Sequence, residues 1–422
     1  MSSKGADAVT DEQGALVPKL RFPGFSGAWD RTELTPHLEE HSERVPSTTL
    51  IPIYSSTRTG LKAQNEYFGG SNLANDGEYR IVPNGYFTFR HMSDDGTFKF
   101  NVNNTLDSIA VSKEYPVFKG VGLSPDFLLY ILNNSADFAQ FAQMQKKGGT
   151  RTRLYLSTLR TWKPLLPSII EQQKIADCLS SIDTLITAEA DKLDAMKDHK
   201  RGLMQQLFPA PGETTPRLRF PEFQDAGEWE LKAISEIADL HKGKGISKLD
   251  ISIDGNQPCI RYGELYTTYG EVIDETLSKT NLPLSELFMS KKNDVIIPSS
   301  GETKIDIATA SCVMRDNIAL GGDLNVIRSR QNGVFLSYFL NGPLKYEIAK
   351  VAQGDSVVHL YPTQIGLLRV AIPTTEEQQA IATCLSSIDT RIMAQSYKID
   401  ALEVHKGGLM QQLFPVAGEV QA

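Results

Sequence analysis

Cysteine is scarce, with four in 422 residues, Cys178, Cys259, Cys312 and Cys384. None stands at CxxC spacing, which argues against a zinc site and fits a reduced cytoplasm. Long apolar runs are missing as well. No stretch approaches the about 20 residues that span a bilayer, and Met1 to Pro18 is small and polar, unlike a secretory signal or a membrane segment. An excess of positive charge is also absent. Lys and Arg number 43 against 51 Asp and Glu, a net charge of −8, which by itself speaks against a free-standing nucleic-acid binder. The chain lacks a glycine-rich dinucleotide fingerprint, a Walker lysine loop, an Asn-Pro-Pro-Tyr adenine-methylation motif and anything arranged as a nucleophilic triad, so no cofactor is expected.

What the chain does have, it has twice. Glu171-Gln172-Gln173-Lys174-Ile175-Ala176-Asp177-Cys178-Leu179-Ser180-Ser181-Ile182-Asp183-Thr184 returns 206 residues later as Glu377 to Thr390, with only Lys174/Ala380 and Asp177/Thr383 differing. His199-Lys200-Arg201-Gly202-Leu203-Met204-Gln205-Gln206-Leu207-Phe208-Pro209 recurs at the same shift as His405 to Pro415, with Arg201 replaced by Gly407. A period of half the chain is too long for a solenoid and means a duplicated module. Two copies can sit about a pseudo-twofold axis, a symmetry that duplex DNA shares.

The halves open alike, Pro18-Lys19-Leu20-Arg21-Phe22-Pro23 and Pro216-Arg217-Leu218-Arg219-Phe220-Pro221, each followed by a tryptophan, Trp29 or Trp229. Between opening and closing signatures they diverge, as one scaffold with two different contents would. Strand-like runs at Tyr86 to Phe89 and Val295 to Ile297 sit among Asn, Gly and Pro. Phe127 to Asn133 and Phe335 to Asn341 read as one helix in two copies. The expected fold is mixed α/β: two α/β globules, each followed by a long helix, the helices pairing as an antiparallel coiled coil. The expected boundaries are a flexible segment 1–17, a globule 18–167, a helix 168–208, a linker 209–215, a globule 216–373, a helix 374–415 and a tail 416–422.

Both helices carry a heptad seam. Ile175, Leu179, Ile182, Ile186, Glu189, Leu193, Met196, Lys200, Leu203 and Leu207 alternate spacings of four and three, as do Ile381 to Leu413 in the second. An antiparallel pairing is expected to set Glu189 opposite Lys406 and Lys200 opposite Gln395 and so to fix register. Cys178 and Cys384 are expected as small buried packers. A helix of this length, about 58 Å, matches about one and a half turns of B-DNA. Long heptad helices also serve simply to dimerise chains.

The Leu-Arg-Phe-Pro openings, Glu-Gln-Gln-x-Ile-Ala and Gly-Leu-Met-Gln-Gln-Leu-Phe-Pro together resemble the specificity subunit of type I restriction-modification systems, over nearly the whole chain. The resemblance implies two target-recognition domains, each reading half of a bipartite site in double-stranded DNA, and a helical spacer. It also implies docking of two methyltransferase subunits, through which restriction/translocase subunits join, in a cytoplasmic complex with no membrane association. The chain itself is then expected to be non-catalytic. The alternative is a coiled-coil assembly scaffold whose globules bind protein.

For DNA contact, Gly-rich basic loops let backbone amides and lysines approach phosphate, which singles out Lys146, Lys147 and Arg151 around Gly148-Gly149, and Lys242, Lys244 and Ser247 around Gly243 and Gly245. Arg153 and His359 stand at the 206 shift and are each followed by Leu-Tyr, adding Tyr155 and Tyr361. Arg58, Arg90, Arg261 and Glu264 lie beside apolar runs, where strand-end loops project; Arg suits guanine and Glu suits cytosine. Taken singly, each of these four also reads as an ordinary solvated charge. Asp294 ahead of Glu302-Thr303-Lys304 imitates the carboxylates of a metal-dependent nuclease. The first half has no matching Glu-x-Lys, so a nuclease is not expected.

Overall fold

A computed structural model describes residues 17–69, 77–146, 151–354 and 357–415. The chain divides into two compact units, the first made of Met1–Ala188 with Ile399–Ala422 and the second of Glu189–Lys398. Four helices organise them: α1 (Pro125–Asn134), α2 (Ile169–Leu207), α3 (Gly333–Asn341) and α4 (Thr375–Leu413). Among the described residues no helix is long and apolar enough to cross a membrane.

In the first unit an antiparallel sheet runs in the order Leu38–Glu40, Val117–Gly120, Phe87–Phe89, Phe100–Val102. It brings Phe87, Phe89, Phe100 and Phe118 into ring contact at the centre of the core. A second sheet, Ser108–Ser112, Glu78–Pro83 and Arg44–Pro46, buries Val82, Ile109 and Val111. Helix α1 starts where Ser124 accepts a hydrogen bond from the Phe127 amide and Pro125 takes the first helical position. Its buried residues Phe127, Leu128, Ile131 and Leu132 recur at helical spacing, so one face enters the core.

The second unit has a larger, mixed sheet in the order Ala238–Lys242, Leu324–Ser329, Asp294–Pro298, Ser311–Val313, Val272–Ile273. A smaller sheet joins Ser278–Thr280, Gln257–Ile260 and Ala319–Leu320. Strand Asp294–Pro298 is buried at every residue, as a central strand covered on both faces requires. Helix α3 is buried from Gly333 through Leu340.

The repeated signatures latch onto each other through the same bonds in each unit. Arg21 grips Glu171 with two hydrogen bonds of 2.8 Å, and Arg219 grips Glu377 at 2.7 and 2.6 Å. Both carboxylates are buried, so each needs this planar, two-pronged partner to offset the loss of water. Gln172 accepts from the Ser124 amide and donates to the Pro167 carbonyl; Gln378 does the same with Asn332 and Pro373. The opening segments are held by Leu20 N donating to Gln412 O and Leu218 N to Gln206 O, each 2.9 Å.

Those last bonds reveal an exchange. Phe208, at the end of α2, packs against Phe335 and Phe339 of the second unit, with ring centroids 5.5 and 5.4 Å apart. Phe414, at the end of α4, packs against Trp29 and Phe127 of the first, at 6.1 and 5.7 Å. Each globule is therefore closed by the end of the helix that follows the other globule. Sequence order alone suggested a globule and its own helix as the module.

Within each unit the two helical segments run antiparallel. Lys406 of α4 meets Asp183 of α2, while Leu413 joins Ile175 and Leu179 in the first core. In the second unit Gln395 and Lys398 meet Glu189, and Lys200 meets Asp389. Seam positions Ile182, Ile186, Leu193 and Met196 are partly covered, while the residues between them are mostly exposed, as a narrow heptad contact demands. The expected polar pairing is corrected. Glu189 faces its own repeat equivalent Gln395, not Lys406, and Lys200 faces Asp389, not Gln395. The reason is that each lysine finds a full carboxylate one position off the seam, a stronger partner than a neutral amide. Cys178 and Cys384 are half-buried, lying beside the seam and not in it.

Each lysine completes a clamp. Asp183 accepts the Tyr130 hydroxyl and the Lys406 ammonium, both at 2.5 Å, and the ammonium lies 5.5 Å from the Tyr130 ring centre. Asp389 accepts Tyr338 at 2.5 Å and Lys200 at 2.7 Å, with the ammonium 5.2 Å from the Tyr338 ring centre. Burial first, then the adjacent carboxylate, pushes both phenols far above the usual tyrosine range.

Asp389→Ala removes the short acceptor of the buried Tyr338 hydroxyl, leaving only Ser386 Oγ at 3.4 Å, and should lower the unfolding free energy by about 1–3 kcal/mol in denaturant titration; a change below about 0.3 kcal/mol would contradict the clamp. Because the folded phenols hold their protons more tightly than unfolded tyrosine, their contribution is complete below about pH 10 and is lost as pH rises further. Stability measured above pH 10 should therefore fall less steeply in Tyr338→Phe than in the parent.

Candidate nucleic-acid interface

Each unit carries a short two-stranded ribbon at its surface. In the first, Thr152–Arg153 pairs antiparallel with Met92–Ser93; in the second, Val358–His359 pairs with Ser300–Gly301. Arg153 faces Met92 and His359 faces Ser300 in register, so the two stand at the same point of equivalent ribbons. The anchors match too: Leu154 N donates to His91 O and Leu360 N to Ser299 O. Leu154 and Leu360 are fully buried, while Arg153, Tyr155, His359 and Tyr361 project outward.

The first unit's ribbon borders a cleft of about 750 Å³, lined by Arg58, Arg90, His91, Lys99, Glu114 and Tyr115 among others. Arg58 bonds Asp95 at 2.7 Å, and Arg151 bonds Asp94 at 2.9 Å. Asp95 is held well below the usual carboxylate range, chiefly by the Thr97 hydroxyl and amide, then by Ser93 and Arg58. These exposed ion pairs orient the guanidinium groups with little net energy. Arg90 and Lys146 are exposed. Lys147 lies outside the described residues.

His91 was missed by sequence reasoning, although it directly follows Arg90. It is buried, its ring stacks on Tyr155 at 5.8 Å, and its Nδ1 has no hydrogen-bond partner. Burial holds its pKa below the ordinary histidine value, with Arg153 and Arg90 adding to the effect and Glu114 opposing it.

In the second unit the basic loop packs closely on neighbouring backbone. A Cβ on Gly243 would lie 2.0 Å from the Gly321 carbonyl oxygen, so this glycine is required by close approach of protein backbone. Ser247 accepts from the Leu249 amide and donates to Asp250, which makes it a helix cap. Lys244 donates to the Ser285 carbonyl at 3.0 Å, whereas Lys242 stands exposed at its strand end. Glu264 is buried, accepting from the Arg261 amide at 2.7 Å and from the Ser278 hydroxyl. Its carboxylate is occupied inside the fold, and Arg261 is half-buried beside it at 3.9 Å. Lys242, Lys244, Ser247, His359 and Tyr361 are the exposed members of the expected set in this unit, while Arg261 is half-buried and Glu264 buried.

Asp294 is taken up inside the fold. It is buried and bound by two hydrogen bonds from Arg328, 2.8 and 2.7 Å, with a third from the Lys291 amide. Among the described residues no group of three or more His, Cys, Asp or Glu side chains could hold a metal ion.

Comparison with known proteins agrees with this doubled layout. The chain is similar to the type I restriction enzyme MjaVIII specificity subunit of Methanocaldococcus jannaschii, with 23% identity over 302 residues, 68% of this chain and 69% of that one. Its fold is shared with the S subunit of a type I restriction-modification system from M. genitalium, at a TM-score of 0.56 and 14% identity, covering 95% of this chain and all of the other. A second structure, from work on complex assembly and conformational transition of the type I R-M system, matches at a TM-score of 0.55 and 16% identity, over 92% and 97% of the two chains. The family described as type I restriction modification DNA specificity domain matches residues 51–197 and again 226–403. With both halves so covered, the chain belongs to that family.

Proposed function

We propose that the chain reads the two halves of a bipartite, asymmetric DNA site, one with each unit, and presents that site to methyltransferase subunits and, through them, to restriction/translocase subunits. In this reading it performs no catalysis itself and works in the cytoplasm. The observation that carries the proposal is the twofold match to a DNA specificity domain in one chain whose frame repeats bond for bond and whose intervening segments diverge. Frame residues such as Glu171 and Glu377 answer to the fold. The divergent segments answer to different half-sites.

The outward side chains supply suitable chemistry. Arg58, Arg90, Arg151, Arg153, Lys146 and Lys242 offer donors to phosphate or guanine, and the net charge of −8 suits a subunit whose partners provide further phosphate contacts. In the second unit Ser247 and Glu264 enter the proposal with internal hydrogen bonds, to Asp250 and from the Arg261 amide. Helices α2 and α4 each contribute residues to both units, which supports a spacer that sets the gap between half-sites.

Inserting one heptad beside the Glu189–Gln395 contact in each helix should lengthen that spacer by about 10 Å, roughly three base pairs. The preferred gap in bound duplexes should widen accordingly; an unchanged gap in a folded variant would refute the spacer role. Lys242→Ala should weaken binding uniformly across sequences and reduce the salt slope of binding by about 1. A change of base preference instead of a change of slope would remove Lys242 from the phosphate contacts.

A further inference from the structure

The two units build the same ring pair by different means. In the first, His91 of one ribbon strand stacks on Tyr155, with centroids 5.8 Å apart and planes at 27°. In the second, His359 stacks on Tyr361 at 6.2 Å and 26°. The tyrosines are repeat equivalents, but the histidines are not. His91 occupies the position of Ser299, and His359 that of Arg153, since Met92 faces Arg153 as Ser300 faces His359. A shared ancestor explains one histidine position and cannot explain two, in regions that otherwise diverge.

The tyrosines of the pair stand at the surface. Tyr155 is 52% exposed and Tyr361 46%. The backbone on either side is fixed without them: Leu154 and Leu156 are buried in the first unit, Leu360 and Ile365 in the second. Neither tyrosine side chain supplies a cap bond to the short helix it precedes. Holding a large aromatic ring half in water with an imidazole against one face leaves its remaining surface uncovered and its orientation fixed. That is the requirement for an apolar contact made on arrival of a ligand, with little side-chain entropy left to lose.

We infer that Tyr155 with His91, and Tyr361 with His359, are specificity-determining contacts that read the 5-methyl group of thymine, one in each half of the DNA site. This rests on the DNA-reading function proposed above. The 5-methyl is the one apolar group that base pairs present in the major groove, and an uncharged ring face recognises it without hydrogen bonding. The neighbouring Arg153 and Arg90 in the first unit draw the duplex toward the ring. The histidines act as positioning residues, holding the tyrosine planes.

The test uses the full chain assembled with its methyltransferase subunits, selecting bound duplexes from a randomised pool for the parent, Tyr155→Ala, Tyr361→Ala and the corresponding Tyr→Phe variants. Each alanine variant should lose about tenfold discrimination at one thymine, in one half-site only, with the Phe variants unchanged. Replacing that thymine by deoxyuridine should weaken the parent and leave the alanine variant unaffected. His91→Ala should relax the same position as Tyr155→Ala, and Tyr155→Ala and Tyr361→Ala should act on opposite half-sites. Folded alanine variants selecting the parent's motif unchanged would overturn the inference; a relaxed position insensitive to deoxyuridine would overturn the thymine assignment. A parent that selects no motif would instead defeat the underlying DNA-reading proposal.

Discussion

Asp183 and Asp389 each receive a phenol from the adjoining globule and an ammonium from the opposing helix, and this three-way contact constrains everything around it. The carboxylate belongs to the helix that begins in its unit. The lysine belongs to the helix that ends there. Neither helix alone can satisfy the phenol and the partly buried charge together, so the antiparallel register of the two segments is coupled to the seat of the globule. The seam residues Ile175, Leu179, Ile381 and Leu385 provide the apolar area, but apolar heptads alone permit slippage, and charged partners displaced from the seam forbid it.

The same logic explains which parts of the two halves stay alike. Arg21 with Glu171, Arg219 with Glu377, and the glutamines beside them are buried polar groups that become costly if one partner changes. Their chemistry is frozen by the fold. Around the ribbons the shared anchors are backbone bonds and the buried Leu154 and Leu360, and there most of the side chains of the two halves part company.

Much of the frame was legible in the sequence because identical strings at one shift report identical environments. The long helices and their heptad seam followed from periodicity, the strands near Phe87 and Val295 from apolar runs set among Asn, Gly and Pro, and the helices α1 and α3 from their likeness to each other. The exchange of helix ends was not legible, since Phe208 and Phe414 declare burial but not which core they enter. The clamp was half visible: Asp183 and Asp389 stood inside the repeated string, but their tyrosines and lysines lie far away along the chain. At the candidate interface, the common shift paired Arg153 with His359, and the structure sets them on equivalent ribbons. His91 escaped because its partner Tyr155 lies across the ribbon, and Glu264 misled because a glutamate beside an apolar run looks the same whether it caps a turn inside or faces solvent.

The most direct measurement is selection of bound duplexes from a randomised pool by the chain assembled with its methyltransferase subunits, at near-physiological salt. The account expects two short motifs at one fixed separation. Enrichment of a single uninterrupted motif, or of none by a folded and assembled complex, would contradict it.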